Sequence, residues 1–152
     1  MKGRLIVLAV LSLFVFGVHA QDVTGLIQKK SPYSVKKTIT RLEKILKKKG
    51  ITIALRWNHA GRGKQAGIPL RDTELLMFGN PKLGTHLFTS KQTAGIDLPM
   101  KALAWKDEGG QVWLAYNDPA YFAVRHGITD RNPIIEKMTG ALDKMTNAAI
   151  AK

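Results

Sequence analysis

The amino-acid sequence predicts a single α+β domain with a mixed, mostly antiparallel sheet and helices packed mainly on one face of it. Three observations support this fold class. Short segments of alternating hydrophobicity, typical of strands, are interspersed with segments whose apolar residues recur every three or four positions, as in helices. Two strand segments flank Asp107-Glu108-Gly109-Gly110, a favourable β-hairpin turn. No internal repeat or low-complexity linker divides the chain, so one layered domain is expected.

The first 20 residues are predicted to be a cleaved export signal. Lys2 and Arg4 precede a mostly apolar stretch at 5–18, and small side chains allow cleavage after Ala20. The stretch is short for a membrane span, which needs about 20 residues; an uncleaved anchor is the alternative. We therefore expect residues 21–152 to form one domain that is periplasmic or secreted.

The next predicted elements follow from local sequence. Residues 23–28 form a short candidate strand. Ser34 caps a helix that runs to about Lys49, and Gly50 supplies its left-handed stop. Residues 51–57 alternate between apolar and other side chains, as expected of a strand with one buried side.

The segment 58–70 is rich in glycine and is predicted to be a loop in which a short helical turn could form. Residues 74–78 are a compact apolar run and are predicted to be a central strand. Proline at the first helical position favours the start of each later helix. The remaining predicted elements are a helix from Asn80-Pro81 to about Ser90, hairpin strands at 100–106 and 111–117, a helix from Asp118-Pro119 to about Gly127, and a final helix at about 133–151.

Several segments carry a resemblance to a known family. They are Ser31-Pro32-Tyr33-Ser34-Val35, His59, Thr73-Glu74-Leu75-Leu76-Met77-Phe78-Gly79-Asn80-Pro81 with Gly84-Thr85, Gly95-Ile96-Asp97-Leu98-Pro99-Met100-Lys101, and Val112-Trp113-Leu114-Ala115-Tyr116-Asn117-Asp118-Pro119. Together, over about residues 23–127, they resemble the bacterial and archaeal family called domain of unknown function 302. The resemblance implies an α+β fold, a homodimer and no established activity. Family members usually have Asp where this chain has Asn58, so an Asp–His pair with His59 would lack its carboxylate here.

Two similar strand-to-helix junctions suggest a ligand pocket. Phe78-Gly79-Asn80-Pro81 and Tyr116-Asn117-Asp118-Pro119 both run from a strand through a polar cap into a helix, whose N-terminus can receive an anion. If the two strand ends are neighbours, one pocket could hold the side chains of His59, Asn80, Thr85, Tyr116 and Asn117. Ordinary helix capping is the alternative explanation for the Asn and Asp residues.

The first helix carries the clearest charge pattern. Lys37, Arg41, Lys44 and Lys48 recur at helical spacing and form one stripe opposite the apolar face. The whole chain has 24 Lys and Arg against 11 Asp and Glu, so its partners are expected to be anionic: a lipid surface, a polysaccharide or a small anion. Aromatic residues are few and are not interleaved with the lysines, which gives nucleic acid little support. A solvated face that keeps the protein soluble is the alternative.

No catalytic residue, metal site or cofactor is predicted. The absence of cysteine excludes disulfides, thiolate metal sites and a lipoprotein anchor, and no nucleophile elbow, phosphate loop or paired catalytic carboxylates occur. His59, His86 and His126 show no metal-ligand spacing, and Glu74 or Asp97 could serve acid–base chemistry only if folding brought them near His59. The sequence thus predicts an exported binding or accessory module. The alternatives are an envelope enzyme or metal-dependent hydrolase using His59, and a purely structural homodimer.

Overall fold

The computed structural model describes residues 25–152, and the predicted export signal lies outside this range. The strands are β1 (Leu26–Ser31), β2 (Thr52–Asn58), β3 (Thr73–Gly79), β4 (Met100–Lys106) and β5 (Val112–Asn117). The helices are α1 (Val35–Lys48), α2 (His59–Gln65), α3 (Pro81–Ser90), α4 (Pro119–His126) and α5 (Asn132–Ile150), with a short 3-10 helix at Gln92–Ile96. Among these residues no helix has the length and hydrophobicity to cross a bilayer.

The predicted α+β class is confirmed. The five strands form one sheet in the order β1-β5-β4-β3-β2, and every pairing is antiparallel. The sheet edges β1 and β2 are consecutive in the chain, so α1 crosses the whole sheet between them. It contacts β2, β3, β4 and β5 on the way and packs beside α5.

One face of the sheet meets the helices and forms the core. Alternate strand residues point to this face because the side-chain period of a strand is two. Those with less than a tenth of their surface exposed are Ser31, Leu76, Phe78, Met100, Ala102, Ala104, Val112, Leu114 and Tyr116. Fully buried α1 residues pack against them, namely Ile39, Leu42 and Leu46. Burying each such aliphatic side chain contributes about 1.5–3 kcal/mol, so this interface holds α1 on the sheet.

The opposite face, called the outer face below, is also rich in large apolar residues but keeps solvent exposure. Its large apolar residues are Leu55, Trp57, Leu75, Met77, Leu103, Trp105 and Trp113. Lys30 and Lys101 share this face with them. Leu55 is 39% exposed and Trp57 is 37% exposed. The rings of Trp105 and Trp113 stack with their centroids 6.4 Å apart.

Strand β1 differs from its predicted position. It begins at Leu26 and continues to Ser31, beyond the end predicted at residue 28. Lys29 lies within this extension. Its side chain points to the core face, where its ammonium donates to three side chains of α5. These are Asp143, Thr146 and Asn147, at 2.7, 2.8 and 2.7 Å.

The glycine-rich segment forms a short helix, α2, in place of an extended loop. Asn58 caps it, since its side-chain oxygen accepts from the amide of Gly61 at 2.8 Å. The amide of Ile68 then donates to the carbonyl of Gly63 at 2.9 Å and turns the chain back. The helical turn that the sequence allowed is therefore present.

Candidate functional site

The exposed surface of α1 is strongly cationic. Ser34 begins the helix by accepting from the amide of Lys37 at 3.3 Å. The apolar side of the helix is buried on the sheet, which leaves the lysines in solvent. We call the exposed lysines of this helix the lysine face: Lys36, Lys37, Lys44, Lys47 and Lys48. At about 100° per residue these five positions fall within an arc of about 120°, so the charges project to one side.

Three members of the predicted stripe belong to this surface and one does not. Lys37, Lys44 and Lys48 are exposed. Arg41 is half-buried and donates to the carbonyls of Ala149 and Ala151, at 2.6 and 2.8 Å. Its guanidinium therefore caps the C-terminus of α5, where a cation is favourable.

One acid lies in α1, and it is already paired. Glu43 accepts from Lys47 at 2.6 Å and from Arg56 at 3.0 Å. These partners lower the pKa of Glu43, the hydrogen bond from Lys47 most strongly. Arg56 also binds Glu74 at 2.6 Å, and this carboxylate is the main reason that the pKa of Arg56 is raised. The cluster joins α1 to β2 and β3 and leaves the lysine face without a free carboxylate of its own helix.

An apolar pocket of about 300 Å³ lies beside the C-terminal end of α1. It is enclosed by the start of β2, the junction of β3 and α3, the segment before β4, and the middle of α5. Its buried lining consists of Phe78, Leu98, Met100, Met138, Leu142 and Met145. Its exposed lining consists of Thr52, Ala54, Pro81, Thr85, Phe88 and Pro99. The pocket is therefore an open cleft with an apolar floor and few polar groups.

Two of the five predicted pocket residues lie in this cleft. Asn80 and Thr85 line it, and Asn80 also caps α3 by accepting from the amide of Lys82 at 3.0 Å. Tyr116 is 4% exposed within the core, and burial is the main cause of its raised pKa. Asn117 ends β5, where it is paired with Leu26. Neither lines the cleft.

His59 lies at the other end of the sheet. Strand β2 starts at Thr52 beside Gly79 and ends at Asn58 beside Glu74. His59 therefore leaves the sheet about 20 Å from the end at which Asn80 begins α3, given about 3.4 Å per strand residue. The C-terminal ends of β3 and β5 do lie at the same end of the sheet, separated by β4. Of the predicted grouping of strand ends, only this part is present.

The other side chains considered for chemistry have structural contacts. Asp97 accepts from His126 at 2.6 Å and lies 3.3 Å from Arg125, which ties α4 to the 3-10 segment. Sequence spacing gave no signal for this pair, because 29 residues separate its members. Asp118 caps α4 through the amide of Ala120 at 2.9 Å. Within residues 25–152, no group of three or more His, Asp or Glu side chains could hold a metal ion.

A wider polar groove of about 720 Å³ runs between the start of α1, α2 and the start of β3. Asn58, Lys36, Lys64 and Glu74 line it. Asn58 has a structural use here as the cap of α2, and Asn and Asp are comparable at that position. Asn58 is therefore compatible with the local fold.

Comparison with known proteins identifies the family. The model of the family described as Domain of unknown function DUF302 matches residues 27–145. The chain belongs to this family. The match runs through most of α5, further than the motif segments indicated. The crystal structure of an uncharacterized conserved DUF302 protein from Bacillus stearothermophilus covers 83% of this chain and 95% of its own, with a TM-score of 0.67 and 16% identity. At that identity the likeness establishes the shared fold alone.

Curated relatives of this DUF302 protein carry a different description. The chain is 41% identical over 132 residues to proteins named fluoride-specific ion channel FluC 1, from Brucella suis biovar 1 (strain 1330) and Brucella abortus biovar 1 (strain 9-941). These matches cover 79% of this chain and 52% and 49% of those proteins, respectively. The chain thus spans about half the length of the curated relatives it matches.

Proposed function

We propose that this DUF302 protein is an exported binding or accessory module that recognises an anionic surface through the lysine face of α1. The observation that carries the proposal is the concentration of exposed lysines on one side of a helix whose single acid is already paired. Lys44 and Lys48 have no ion-pair or hydrogen-bond partner for their ammonium groups within residues 25–152. Charges left unpaired in this way are available to phosphate or carboxylate groups of a partner.

Apart from the ion pair of Lys47 with Glu43, the lysine face includes contacts that cost α1 stability. Like charges at i,i+4, such as Lys44 and Lys48, destabilise a helix by about 0.2–0.5 kcal/mol per pair. A binding role offsets that cost, because each lysine near an anionic lipid surface contributes about 1 kcal/mol to association. The same charges would also increase the rate of encounter with an anionic partner.

The curated relatives add an independent reason to consider a membrane surface. They are named ion channels, and a domain joined to a channel would work close to lipid head groups. We therefore take an anionic bilayer as the first partner to test, with polysaccharide and small anions as further members of the class.

The test is co-sedimentation with vesicles containing anionic phosphatidylglycerol. Replacing Lys37, Lys44 and Lys48 together by Gln should weaken binding about 100-fold, since three contributions of about 1 kcal/mol are lost. Wild-type binding should also fall steeply as salt rises from 50 to 500 mM, by screening.

A matched control removes three charges elsewhere. Lys64, Lys91 and Lys106 are exposed and lie outside α1, and their triple Gln variant should bind as the wild type does. Equal loss of vesicle affinity in the two triple variants would show that binding depends on net charge alone and not on the lysine face. Binding that does not change with salt would contradict the proposal.

We also propose that the protein forms a homodimer through the outer face of the sheet. Leu55 and Trp57 are each more than a third exposed there, beside the stacked pair Trp105 and Trp113. Exposed apolar patches of this kind mark interaction sites in water-soluble domains. A second copy of the chain would cover them.

The metal-dependent hydrolase alternative depends on His59. Within residues 25–152, no carboxylate forms an ion pair or hydrogen bond with its ring, and Glu74 is bound to Arg56 at 2.6 Å. A stoichiometric divalent ion in the purified protein, lost in His59→Ala, would favour this alternative over the binding module.

A further inference from the structure

The apolar pocket has the size of a small binding site. Its volume of about 300 Å³ lies at the lower end of the range for sites that hold small molecules. A water-sized group occupies about 30 Å³ in a liquid, so the pocket can hold roughly ten non-hydrogen atoms. That is the size of a medium-length hydrocarbon chain.

The lining favours a flexible apolar ligand. Three methionines, Met100, Met138 and Met145, line the floor, and each has less than a tenth of its surface exposed. Methionine side chains adapt to irregular apolar shapes because they are unbranched and polarisable. The polar side chains of Asn80 and Thr85 lie on the outer part of the lining, where a ligand would meet solvent.

Two exposed lysines lie close along the chain to residues that line the pocket. Ile51 lines it and follows Lys49 by two residues, so the two Cα atoms are at most about 7.6 Å apart. Lys82 directly follows another lining residue, Pro81. Both lysines are exposed, and neither has an ion pair within the described part of the chain. An apolar cleft with two cationic residues this close to its lining residues complements a molecule with an apolar tail and an anionic head.

We propose that the pocket binds the tail of a single-chain amphiphile with a carboxylate or phosphate head, and that lysines at its mouth hold the head. The tail is an unbranched chain of about eight to ten carbons, as the volume requires. The inference rests on the proposed function for the charged head group, while burial of the tail depends on the pocket alone.

The probe is decanoate, followed by NMR with methyl-labelled methionine. The described residues contain four methionines, and three of them line the pocket. The fourth, Met77, lies on the outer face of the sheet and serves as an internal control. Decanoate should shift the methyl signals of Met100, Met138 and Met145 in a saturable way and leave that of Met77 unchanged. Equal shifts of all four, or none, would overturn the proposal.

A substitution at the mouth tests the same site without disturbing the core. Ala54 is an exposed strand residue that lines the pocket, so Ala54→Trp should fill the mouth while the protein stays folded. It should lower the affinity for decanoate at least tenfold. Ala120→Trp adds the same side chain at an exposed position of α4 outside the pocket and should leave the affinity unchanged. Unchanged affinity in Ala54→Trp would overturn the proposal.

Decanol separates this inference from the proposed function, because it has the same tail without the charge. If decanol and decanoate shift the three pocket methyl signals but vesicle binding does not change with salt, the pocket proposal is supported and the lysine-face proposal fails. If vesicle binding depends on salt and on the lysines but neither amphiphile shifts the three methyls, the pocket proposal is overturned by itself.

Discussion

Arg41 joins the side of α1 to the C-terminal end of α5. Its guanidinium donates to the carbonyls of Ala148, Ala149 and Ala151, which the last turn of a helix leaves without intrahelical partners. The ring of Tyr33 lies 4.5 Å from the guanidinium, and its hydroxyl donates to the Ala151 carbonyl at 2.7 Å. One arginine thus satisfies several backbone groups of a distant helix.

Removal of this guanidinium should lower the stability of the fold. Arg41→Met keeps the aliphatic stem but leaves the carbonyls of α5 to water, and we expect a loss of about 1–2 kcal/mol in the free energy of unfolding. Urea denaturation followed by circular dichroism measures it. Lys44→Met, on the same helix without a partner, should stay within about 0.5 kcal/mol of the wild type. Equal losses in the two variants would contradict the capping role.

Local residue chemistry could be predicted, whereas contacts across the chain could not. The caps Ser34, Asn80 and Asp118 were predicted from their positions before apolar or proline-led segments and are confirmed. The helical spacing predicted the side of α1 on which Arg41 lies, but it did not predict that the guanidinium binds the end of α5. That partner lies more than 100 residues away, and no local pattern encodes the approach of α5.

A partly buried cation, Lys29, links strand β1 to helix α5. The side chain of Lys29 is 14% exposed and binds the carboxylate of Asp143, which is 56% exposed. The hydrogen bond from Lys29 is the main cause of the lowered pKa of Asp143. The folded state therefore favours the ionised carboxylate more than the unfolded chain does. The charged Asp143 adds to the stability of the junction, beside the hydrogen bonds from Lys29 to Thr146 and Asn147.

This junction should weaken in acid. Because the folded pKa of Asp143 is below its ordinary value of 3.8, its contribution is present above that value and is lost as the pH falls through the folded pKa. Between pH 7 and pH 2 the melting temperature of the wild type should thus fall more than that of Asp143→Asn. Glu136→Gln, an exposed acid of the same helix without an ion pair among the described residues, should follow the wild type. Parallel curves for all three proteins would rule out the linkage.

Helices and strands could be predicted from the sequence where the hydrophobic period and the capping or turn residues indicate the same element. The hairpin strands, α3 and α4 occur close to their predicted bounds because each has a strong turn or proline signal. Helix α2 has neither an apolar period nor a proline, and its glycines favoured a loop. The sequence-based prediction grouped His59 with Asn80, because the order and direction of strands are long-range properties that local sequence does not specify. The antiparallel pairing of β2 and β3 places the two residues at opposite ends of the sheet.

The two faces of the sheet give the molecule two different sides. Helices cover one face, whereas the other carries large apolar side chains that keep solvent exposure. The sequence predicted helices mainly on one face, but it could not assign the strand residues of β3 to faces, since Leu75, Leu76 and Met77 are all apolar. Register with β2 and β4 decides that only Leu76 of these three faces the core.

A second copy of the chain should cover the outer face. Leu55 is 39% exposed on the edge strand β2, so Leu55→Asp would place a charge in the contact and convert the dimer to a monomer in sedimentation equilibrium. Val124→Asp, at an apolar α4 residue that is 82% exposed, should leave the dimer intact. Salt offers a second criterion, because association of two cationic copies through apolar surface should strengthen as salt screens their repulsion, whereas vesicle binding should weaken. A wild-type protein that stays monomeric at high concentration and high salt would exclude this interface.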